Sequence, residues 1–561
     1  MSGDGVLLLL ILGMFVLYAG MILHSNYKNR KLFLYEAKQN WGKTPDVSYT
    51  ADQLERISVY GRQTCSREKF YIDEITWRDL DMDRVFQQMN HTVSAAGEEY
   101  LMYLLRTPRL EKNVLNKRDW LARWFEKHKE QRYSLQMILS GVRKDRRYSI
   151  GEELQFLKEA SAISVHKHQL LCASAVICLG VMLLQPVYGF FLFLAAACVN
   201  VADYYGGSDR KASSLCLGCF KSVLQMMETA GKVEKYAGEE LGEYCRPMSL
   251  ARENLRPFHR SSHWLFGICS ASGSLDAVFA DWLRMIFHLD LIWYNKMLRE
   301  IQDHEEDAKV LLECLGELDC AIAAASFREM LPVWCRPDFH QEMRIQAEDL
   351  YHPLVKEPVP ASFQLEGSML LTGSNASGKS TFLKSAALNA ILAQTIFTCP
   401  AASYQAPLCR VITSMALSDS LERGESYFIT EIKSLKRILG AAAWEGALLC
   451  MVDEVLRGTN TVERIAASSQ ILKSLCQSHV FCFAATHDTE LTYLLEDCYR
   501  NYHFDEEISG RDISFPYVLK KGRAVSKNAI RLLSVMGYEE EIVTAAEETA
   551  QEFERTGVWK K

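Results

Sequence analysis

A glycine-rich loop constrains the fold of this chain more than any other feature of its sequence. Residues 373–380 are GSNASGKS; they follow the apolar run Ser368–Thr372 and precede a helical pattern that begins at Ser380. A loop of the form G-x-x-x-x-G-K-[S/T] between a buried strand and a helix N-terminus surrounds phosphates with backbone N–H groups, while its lysine and hydroxyl reach the outer phosphates and Mg²⁺. The sequence therefore predicts an α/β nucleotide-binding domain. Its predicted phosphate-binding residues are Gly373, Ser374, Asn375, Ala376, Ser377, Gly378, Lys379, Ser380 and Thr381.

Two acidic residues follow a second predicted strand. The apolar run 447–452 ends at Asp453 and Glu454, and ligands of α/β sheets bind beyond the carboxyl ends of such buried strands. We predict that Asp453 and Ser380 hold the metal and that Glu454 polarises the attacking water. The alternative is an ordinary strand that ends in solvent-facing acids.

A third apolar run, 479–485, ends in Thr486 and His487. At this position His487 could sense the terminal phosphate of the nucleotide. A single histidine at a strand end is more often a polar loop residue, so this prediction depends on the family resemblance described below.

The N-terminal region contains an uncharged apolar run at residues 6–23. As a helix, these 18 residues would be about 27 Å long, close to the thickness of a bilayer core. No basic residue precedes the run and no small-x-small cleavage site follows it before Asn26, which favours a retained anchor over a cleaved signal peptide. Lys28, Arg30 and Lys31 follow the run, so the positive-inside rule predicts that the chain continues in the cytoplasm.

A second apolar block extends over residues 169–202 and is interrupted at Gln185 and Pro186. Its two halves of about 16 residues suit a tight membrane hairpin, and basic residues flank it on both sides. The alternative is a buried helical hairpin in a soluble core. With the first run, the hairpin predicts about three membrane spans, a multi-pass cell-membrane protein and a cytoplasmic nucleotide domain.

The composition excludes a surface dominated by nucleic-acid binding, because the formal net charge is −7 and the pI is about 6.1. Residues 106–147 are locally basic, with 13 Lys and Arg against 5 Asp and Glu. Such a stretch could contact lipid headgroups or nucleic-acid phosphates, or it could be a solvated helix face. The 17 cysteines are scattered through apolar runs, which is typical of reduced thiols, and we interpret Cys216 and Cys219 as helix-packing residues.

Four segments together resemble the ATPase domain of MutS DNA mismatch-repair proteins, in the same order and at similar spacing. They are GSNASGKST at 373–381, SYFITE at 426–431, MVDEVLRGTNT at 451–461 and THDTEL at 486–491. Residues 316–319 and 351–353 resemble the entry to that domain, and residues 79–108, including Gly97, resemble the helical MutS core. The resemblance covers about residues 76–545, interrupted by the predicted hairpin.

The resemblance implies an ABC-like P-loop ATPase domain after an all-α core or lever domain with transmembrane helices. It implies a homodimer that encloses ATP and Mg²⁺ at shared sites, with Glu454, His487 and Ser426 as catalytic residues and Ser426 supplied by the partner subunit. The predicted domains are an anchor at 1–30, a linker at 31–75, a helical core at 76–330 with the hairpin at 169–202, the ATPase domain at 331–525 and a dimer-bracing helical segment at 526–561.

The chain departs from the MutS pattern in individual residues and in domain content. In the phosphate loop, Ser374 and Ala376 replace the family's Pro and Met. Leu456 stands where a glycine is usual, and residues 462–464 differ from the usual Tyr-Asp-Gly, although the hydrolytic residues are retained. We also expect no mismatch-recognition domain, whose Phe-x-Glu wedge needs its own scaffold, and no C-terminal nuclease module. Residues 327–329 are Phe-Arg-Glu, but we interpret them as a coincidence within the helical core.

Three functions follow from these features. The first is a membrane-tethered ATPase that clamps DNA and is related to mismatch repair or recombination. The second is a membrane-bound mechanochemical or scaffold ATPase that acts on protein or lipid partners without DNA. The third, transport, is disfavoured because no charged residue lies within the predicted spans to mark a pathway.

Overall fold

The computed structural model describes residues 20–559, except for 22–23, 26, 145–146, 267–281, 375–376, 416–426, 458, 510–511, 525–529, 531–532 and 535. The chain divides into two compact units. Unit 1 comprises the chain up to Ser66 together with Met89–Tyr103 and Leu121–Phe327. Unit 2 comprises Arg67–Gln88, Leu104–Trp120 and Arg328–Lys561.

The described part of the chain up to Met330 is helical. Among the described residues, all regular elements in this region are helices. They are 27–40, Ala51–Cys65, Glu74–Asp79, Met82–Met89, Ala95–Arg106, Lys112–Lys127, Lys129–Leu139, Ile150–Glu159, His166–Leu184, Pro186–Gly206, Ser208–Tyr236, Gly242–Asn254, Arg256–Phe266, 282–287, Leu289–Gln302 and Glu305–Met330. The predicted linker at 31–75 thus contains helices, one of which begins with a capping box of Thr50 and Gln53.

A buried aspartate joins two helices of unit 1. The Asp319 carboxylate accepts hydrogen bonds from Val93 N, from Ser94 N at 2.8 Å and from Ser94 Oγ at 2.5 Å, at the start of the helix Ala95–Arg106. Two glycines permit this approach: a Cβ on Gly97 would lie 2.2 Å from Asp319 Oδ2, and one on Gly316 would lie 2.4 Å from Tyr100 Cβ. This explains, in packing terms, why glycines occupy those two positions.

The apolar block forms a hairpin of two helices, His166–Leu184 and Pro186–Gly206, joined at Gln185. They are about 28 and 31 Å long, sufficient to cross a bilayer core. Gly189 allows close packing, since a Cβ there would lie 2.1 Å from Met182 Cα. In the most apolar 18-residue stretch, only 11% of the first helix and 22% of the second is buried. The other predicted span, residues 6–23, lies outside the described residues apart from 20 and 21.

Unit 2 contains the mixed and parallel sheets. Its main sheet has the order β12-β9-β4-β8-β7-β6, parallel except for the antiparallel β12–β9 pair. A second sheet has the order β1-β5-β2-β3, and β10 pairs with β11. The strands are β1 (Asp338–Phe339), β2 (Ile345–Leu350), β3 (Ala361–Leu365), β4 (Ser368–Thr372), β5 (Ser403–Ala406), β6 (Cys409–Ser414), β7 (Ala447–Asp453), β8 (Val480–Ala485), β9 (Tyr499–Phe504), β10 (Glu507–Ser509), β11 (Asp512–Ser514) and β12 (Leu519–Lys521). The helices are Lys379–Thr395, Tyr427–Ala441, Thr461–Ser474, Leu491–Leu494 and Glu540–Thr556.

Residues 67–88 pack with unit 2, although the sequence suggested that the α/β region begins at 331. The Asp79 carboxylate accepts hydrogen bonds from Thr413 Oγ1 at 2.6 Å and from Met415 N at 2.9 Å, at the end of β6. Arg437 forms an ion pair with Asp73. These polar contacts between positions more than 330 residues apart connect residues 67–88 to the end of β6 and to the helix Tyr427–Ala441.

Candidate nucleotide-binding and catalytic site

Three neighbouring strands bring the predicted site residues to one edge of the main sheet. In the order β4-β8-β7, the phosphate loop follows β4, Thr486 follows β8, and β7 ends at Asp453. Ala485 at the end of β8 pairs with Leu371 on one side and with Asp453 on the other. Because the strands are parallel, their carboxyl ends coincide, as in other α/β ligand sites.

The backbone of the phosphate loop requires its glycines. Gly373 has φ 141° and Gly378 has φ 101°, conformations that L side chains rarely adopt. A Cβ on Gly373 would lie 2.7 Å from the Phe504 carbonyl oxygen. The Ser374 hydroxyl is buried and has no hydrogen-bond partner among the described residues. A loop with this curvature and an unused donor fits a phosphate group.

The Lys379 side chain forms hydrogen bonds with the backbone of the phosphate loop. Its ammonium group is buried and donates to the carbonyl oxygens of Gly373 and Ser374, both at 2.6 Å. Burial lowers the pKa of Lys379 to about 8, and the neighbouring acids Asp453 and Glu454 oppose that shift. The lysine is therefore held by weak carbonyl partners that an anionic phosphate could replace.

Ser380 and Asp453 form the predicted metal-binding pair. The Ser380 hydroxyl lies 2.5 Å from Asp453 Oδ2, although the two residues are 73 positions apart. A hydroxyl and a carboxylate are hard oxygen ligands of the kind that Mg²⁺ prefers. The donor set therefore fits Mg²⁺ with few protein ligands and room for water or phosphate oxygens.

Glu454 is held in a defined orientation beside this pair. It has a left-handed backbone with φ 57°, and its N–H donates to the Ala485 carbonyl oxygen at 2.9 Å. His487 Nε2 lies 2.6 Å from Glu454 Oε1, and Arg457 forms an ion pair with the same carboxylate. Burial alone would raise the pKa of Glu454, but the hydrogen bond and charge of His487, with the charge of Arg457, outweigh burial and lower it. The side chain is thus an ionised hydrogen-bond acceptor at neutral pH.

Glu431 supports the loop after the acid pair, a role that the sequence did not indicate. It is buried on the helix Tyr427–Ala441, and its Oε1 accepts a hydrogen bond from Leu456 N at 2.5 Å. Leu456, where a glycine was expected, has φ 60°. Burial raises the pKa of Glu431, and this hydrogen bond partly offsets the increase. The only sequence signal was the position of Glu431 at the end of SYFITE.

The residue after His487 is also fixed. Asp488 forms a two-pronged ion pair with Arg464, with distances of 2.9 and 2.5 Å, and its N–H donates to Thr486 Oγ1 at 3.0 Å. Such planar pairing restricts both side chains. It orients the turn that carries His487 toward Glu454.

A cavity of about 360 Å³ adjoins the outer side of the phosphate loop. Gly378, Ser380 and Thr381 form one wall, and His352 and Tyr517 lie among the other lining residues. Burial lowers the pKa of His352 to about 4, so its ring is neutral at physiological pH. The size and the mixed apolar and polar lining suit an organic group attached to the phosphates.

The structure brings together most of the predicted site residues: the described part of the loop with Asp453, Glu454 and His487. Asn375, Ala376 and Ser426 lie outside the described residues, as do residues 526–529. Phe327 is fully buried, which supports its interpretation as a core residue. Cys216 and Cys219 are buried as well, in agreement with a packing role.

The geometry of this site agrees with comparisons to known proteins. Residues 369–554 match the family model MutS domain V. That domain is a P-loop ATPase. The matched range includes β4 from its second residue, the phosphate loop, the acid pair and His487. The described residues that match therefore have the fold and the polar groups of an ATP-binding domain.

Two curated relatives are named DNA mismatch repair protein MutS. The protein from Aquifex pyrophilus is 30% identical over 280 residues, which is 48% of this chain and 32% of the relative. The protein from Persephonella marina is 31% identical over 232 residues, 39% of this chain and 26% of the relative. The matched regions thus span about a third or less of the length of these relatives.

Proposed function

We propose that this chain is a membrane-tethered ATPase that hydrolyses ATP with Mg²⁺ at the edge formed by β4, β8 and β7. One observation carries the proposal. The Ser380–Asp453 pair at 2.5 Å lies beside the Glu454–His487 pair at 2.6 Å, although these four residues come from three separate motifs. A metal-binding pair next to an oriented carboxylate is the arrangement that hydrolysis of a phosphoanhydride requires.

Each residue has a separate role in this proposal. Lys379 exchanges the carbonyl oxygens of the loop for phosphate oxygens, and Ser380 and Asp453 hold Mg²⁺, which neutralises phosphate charge when bound. Glu454 accepts a hydrogen bond from the attacking water, and His487 keeps the carboxylate in position. The lowered pKa of Glu454 suits orientation and polarisation of water more than full proton removal.

The test is Mg²⁺-dependent ATP turnover by the full-length chain in detergent, compared with Lys379→Ala. We expect the variant to lose at least about 100-fold in kcat/KM, because a buried charge that contacts phosphate is removed. Lys436→Ala is the matched control, since Lys436 is exposed on a helix of the same unit. Equal turnover by wild type and Lys379→Ala would refute the proposed site.

We further propose that the ATPase acts as a homodimer with shared sites. Ile429, Ile432 and Val462 are exposed apolar residues on the two helices that follow Ser426 and the acid pair in the chain, and we propose that they lie at the subunit interface. Ser426→Ala chains mixed with Lys379→Ala chains should regain part of the activity, because one of the two sites in a mixed dimer is then intact. Activity equal to the average of the two pure variants would contradict shared sites.

A DNA clamp is the first proposed role of this ATPase, supported by the names of the relatives. Turnover should be measured with homoduplex, mismatched and branched DNA over a salt series. Stimulation that falls steeply with salt would support phosphate contacts. An ATP turnover rate that none of these DNA molecules changes would contradict the DNA clamp.

A scaffold or mechanochemical ATPase without DNA is the second candidate, favoured by the engagement of several basic residues of 106–147 within the protein. Of the 13 basic residues in this segment, Arg106 pairs with Glu74, Arg109 with Glu68, and Lys144 with Glu98. Arg118 and Arg132 are buried. The segment is therefore a weaker phosphate-binding surface than its sequence suggested.

The tether can be tested at the tip of the hairpin. Its surface is apolar, with Leu183 84% exposed and Phe191 64% exposed, and apolar surface of this extent needs a nonaqueous partner. A protease site inserted between Gln185 and Pro186 should be cut by protease added to intact cells. The same site inserted between Glu357 and Pro358 should be protected, and protection of both sites would refute a spanning hairpin.

A further inference from the structure

Two histidines and an aspartate converge at the base of the hairpin, away from the nucleotide site. His168 lies in the first turn of the helix His166–Leu184, Asp203 lies in the last turn of Pro186–Gly206, and His288 immediately precedes the helix Leu289–Gln302. One nitrogen of each ring and one carboxylate oxygen all lie within 4.8 Å of one another. We propose that His168, Asp203 and His288 bind a divalent transition-metal ion, with Zn²⁺ as the best match.

His288 is oriented as a metal ligand. Its Nε2 lies 2.9 Å from the Asn200 carbonyl oxygen, so Nε2 carries the proton and Nδ1 presents its lone pair. This is the outer contact that metal-binding histidines usually make. The ring also packs edge-on against Tyr204, whose hydroxyl donates to Asp290 Oδ2 at 2.6 Å. His288 is fully buried and has φ 51°, an uncommon backbone for this residue that indicates a constrained position.

The two imidazole rings already have nearly the spacing that a metal needs. His168 Nδ1 lies 2.8 Å from His288 Nδ1, a hydrogen bond in which His168 is the donor. Two nitrogen ligands of a tetrahedral zinc, each about 2.0–2.1 Å from the ion, lie about 3.3 Å apart. The rings must separate by roughly half an ångström, and the proton between them must leave Nδ1, so the hydrogen bond and the metal exclude each other.

Two buried side-chain oxygen atoms that lack hydrogen-bond partners among the described residues lie on one face of the helix Pro186–Gly206. Asp203 Oδ1 pairs with Lys167 at 2.5 Å, whereas Asp203 Oδ2 is buried without a partner among the described residues. Asn200, one turn earlier, is fully buried, and its Oδ1 likewise has no partner within the described part of the chain. Buried acceptors without donors are costly, and a cation would compensate Asp203 directly.

The donor types select the ion. Two imidazole nitrogens and a carboxylate oxygen suit Zn²⁺, Co²⁺ or Ni²⁺, whereas Mg²⁺ and Ca²⁺ prefer oxygen ligands alone. Such an ion would fasten both ends of the hairpin to the segment that leads into Leu289–Gln302. Its proposed role is structural or regulatory, and it is independent of the ATPase proposal.

The test is zinc binding by the full-length chain in detergent, after chelation and with excess Mg²⁺ present. We expect about one Zn²⁺ per chain in competition with a chromophoric zinc indicator, and an N/O-type tetrahedral absorption spectrum with Co²⁺. His168→Ala and His288→Asn should each weaken zinc binding at least about 100-fold, since each removes one of three protein ligands. Asparagine is chosen at position 288 because it tolerates a positive φ.

Matched control variants show whether zinc binds at this site or at other cysteines and histidines of the chain. His166→Ala removes an exposed histidine two residues away on the same helix and should leave zinc affinity unchanged. Asp203→Asn keeps the side-chain size and should still weaken binding, with circular dichroism and the thermal unfolding midpoint as the checks that each variant is folded. Zinc affinity that is the same in wild type and in both histidine variants, or no stoichiometric uptake by wild type, would overturn the proposal and leave the two rings as a hydrogen-bonded pair.

Discussion

Two kinds of carboxylate occur in this protein, and they differ in their hydrogen-bond partners. Asp453 and Glu454 lie at the edge of the main sheet, and Asp319 joins two helices of unit 1. Asp319 is completely buried and receives its hydrogen bonds from backbone N–H groups and one serine hydroxyl of the Val93–Ser94 segment. Asp453 and Glu454 instead face the side chains of Ser380, His487 and Arg457 at the open end of the sheet. The backbone donors around Asp319 cannot be exchanged, whereas the partners of the acid pair can be replaced by a ligand. This difference separates a structural carboxylate from the two carboxylates that we propose to be functional.

The largest expected effect on activity is at Glu454. Glu454→Gln should lower ATP turnover at least about 100-fold and retain ATP binding, because it removes the charged acceptor but keeps the shape of the side chain. Turnover and nucleotide binding should be measured on the same preparation. Glu445→Gln, at an exposed position just before β7, is the control. Normal turnover by Glu454→Gln would show that the acid pair is structural, as Asp319 is.

The corresponding test in unit 1 is Gly97→Ala. The added methyl group would lie 2.2 Å from Asp319 Oδ2, so we expect the free energy of unfolding to fall by about 1–3 kcal/mol. Thermal or denaturant unfolding measures this change. Gly440→Ala, in an exposed helix position with no atom within 4 Å of the new Cβ, should instead stabilise the protein by up to about 1 kcal/mol. Equal effects of the two substitutions would contradict the tight contact.

The smallest predicted effect is the pH dependence of ATP affinity. Burial lowers the pKa of Lys379 to about 8, and in the proposed site the charged form of this lysine binds phosphate. Affinity should therefore be constant below pH 8 and weaken by up to about tenfold per pH unit above it. Titrations from pH 7 to 9.5 test this, with Lys379→Ala as the control that lacks this dependence. A wild-type profile that is flat over this range would mean that the lysine stays charged.

Local sequence predicted the nucleotide edge well, because its groups follow strand ends within short motifs. The loop, the acid pair and His487 each follow a buried apolar run, and parallel pairing then places them side by side. Contacts between distant positions could not be predicted in this way. Glu431 accepts a hydrogen bond from Leu456 N, and Asp79 accepts one from Met415 N at the end of β6. Neither contact follows from a periodic or local sequence pattern.

The helical region shows the same limit more strongly. Apolar periodicity predicted its helices and the hairpin, although the two hairpin helices have 19 and 21 residues rather than about 16. It gave no reason to pair His168 with His288, 120 residues away. For the basic stretch 106–147, charge counts likewise do not reveal which residues are buried, as Arg118 and Arg132 are. Long-range packing decides which polar residues stay available to a ligand.

Ala485 pairs with both neighbouring strands, and this pairing fixes the positions of the site residues relative to one another. Leu371 and Asp453 both align with this one residue, so sliding β8 by a single position would shift His487 by about 3.3 Å. That displacement exceeds the 2.6 Å distance between His487 and Glu454. The contact between His487 and Glu454 therefore requires the three strands to keep their alignment.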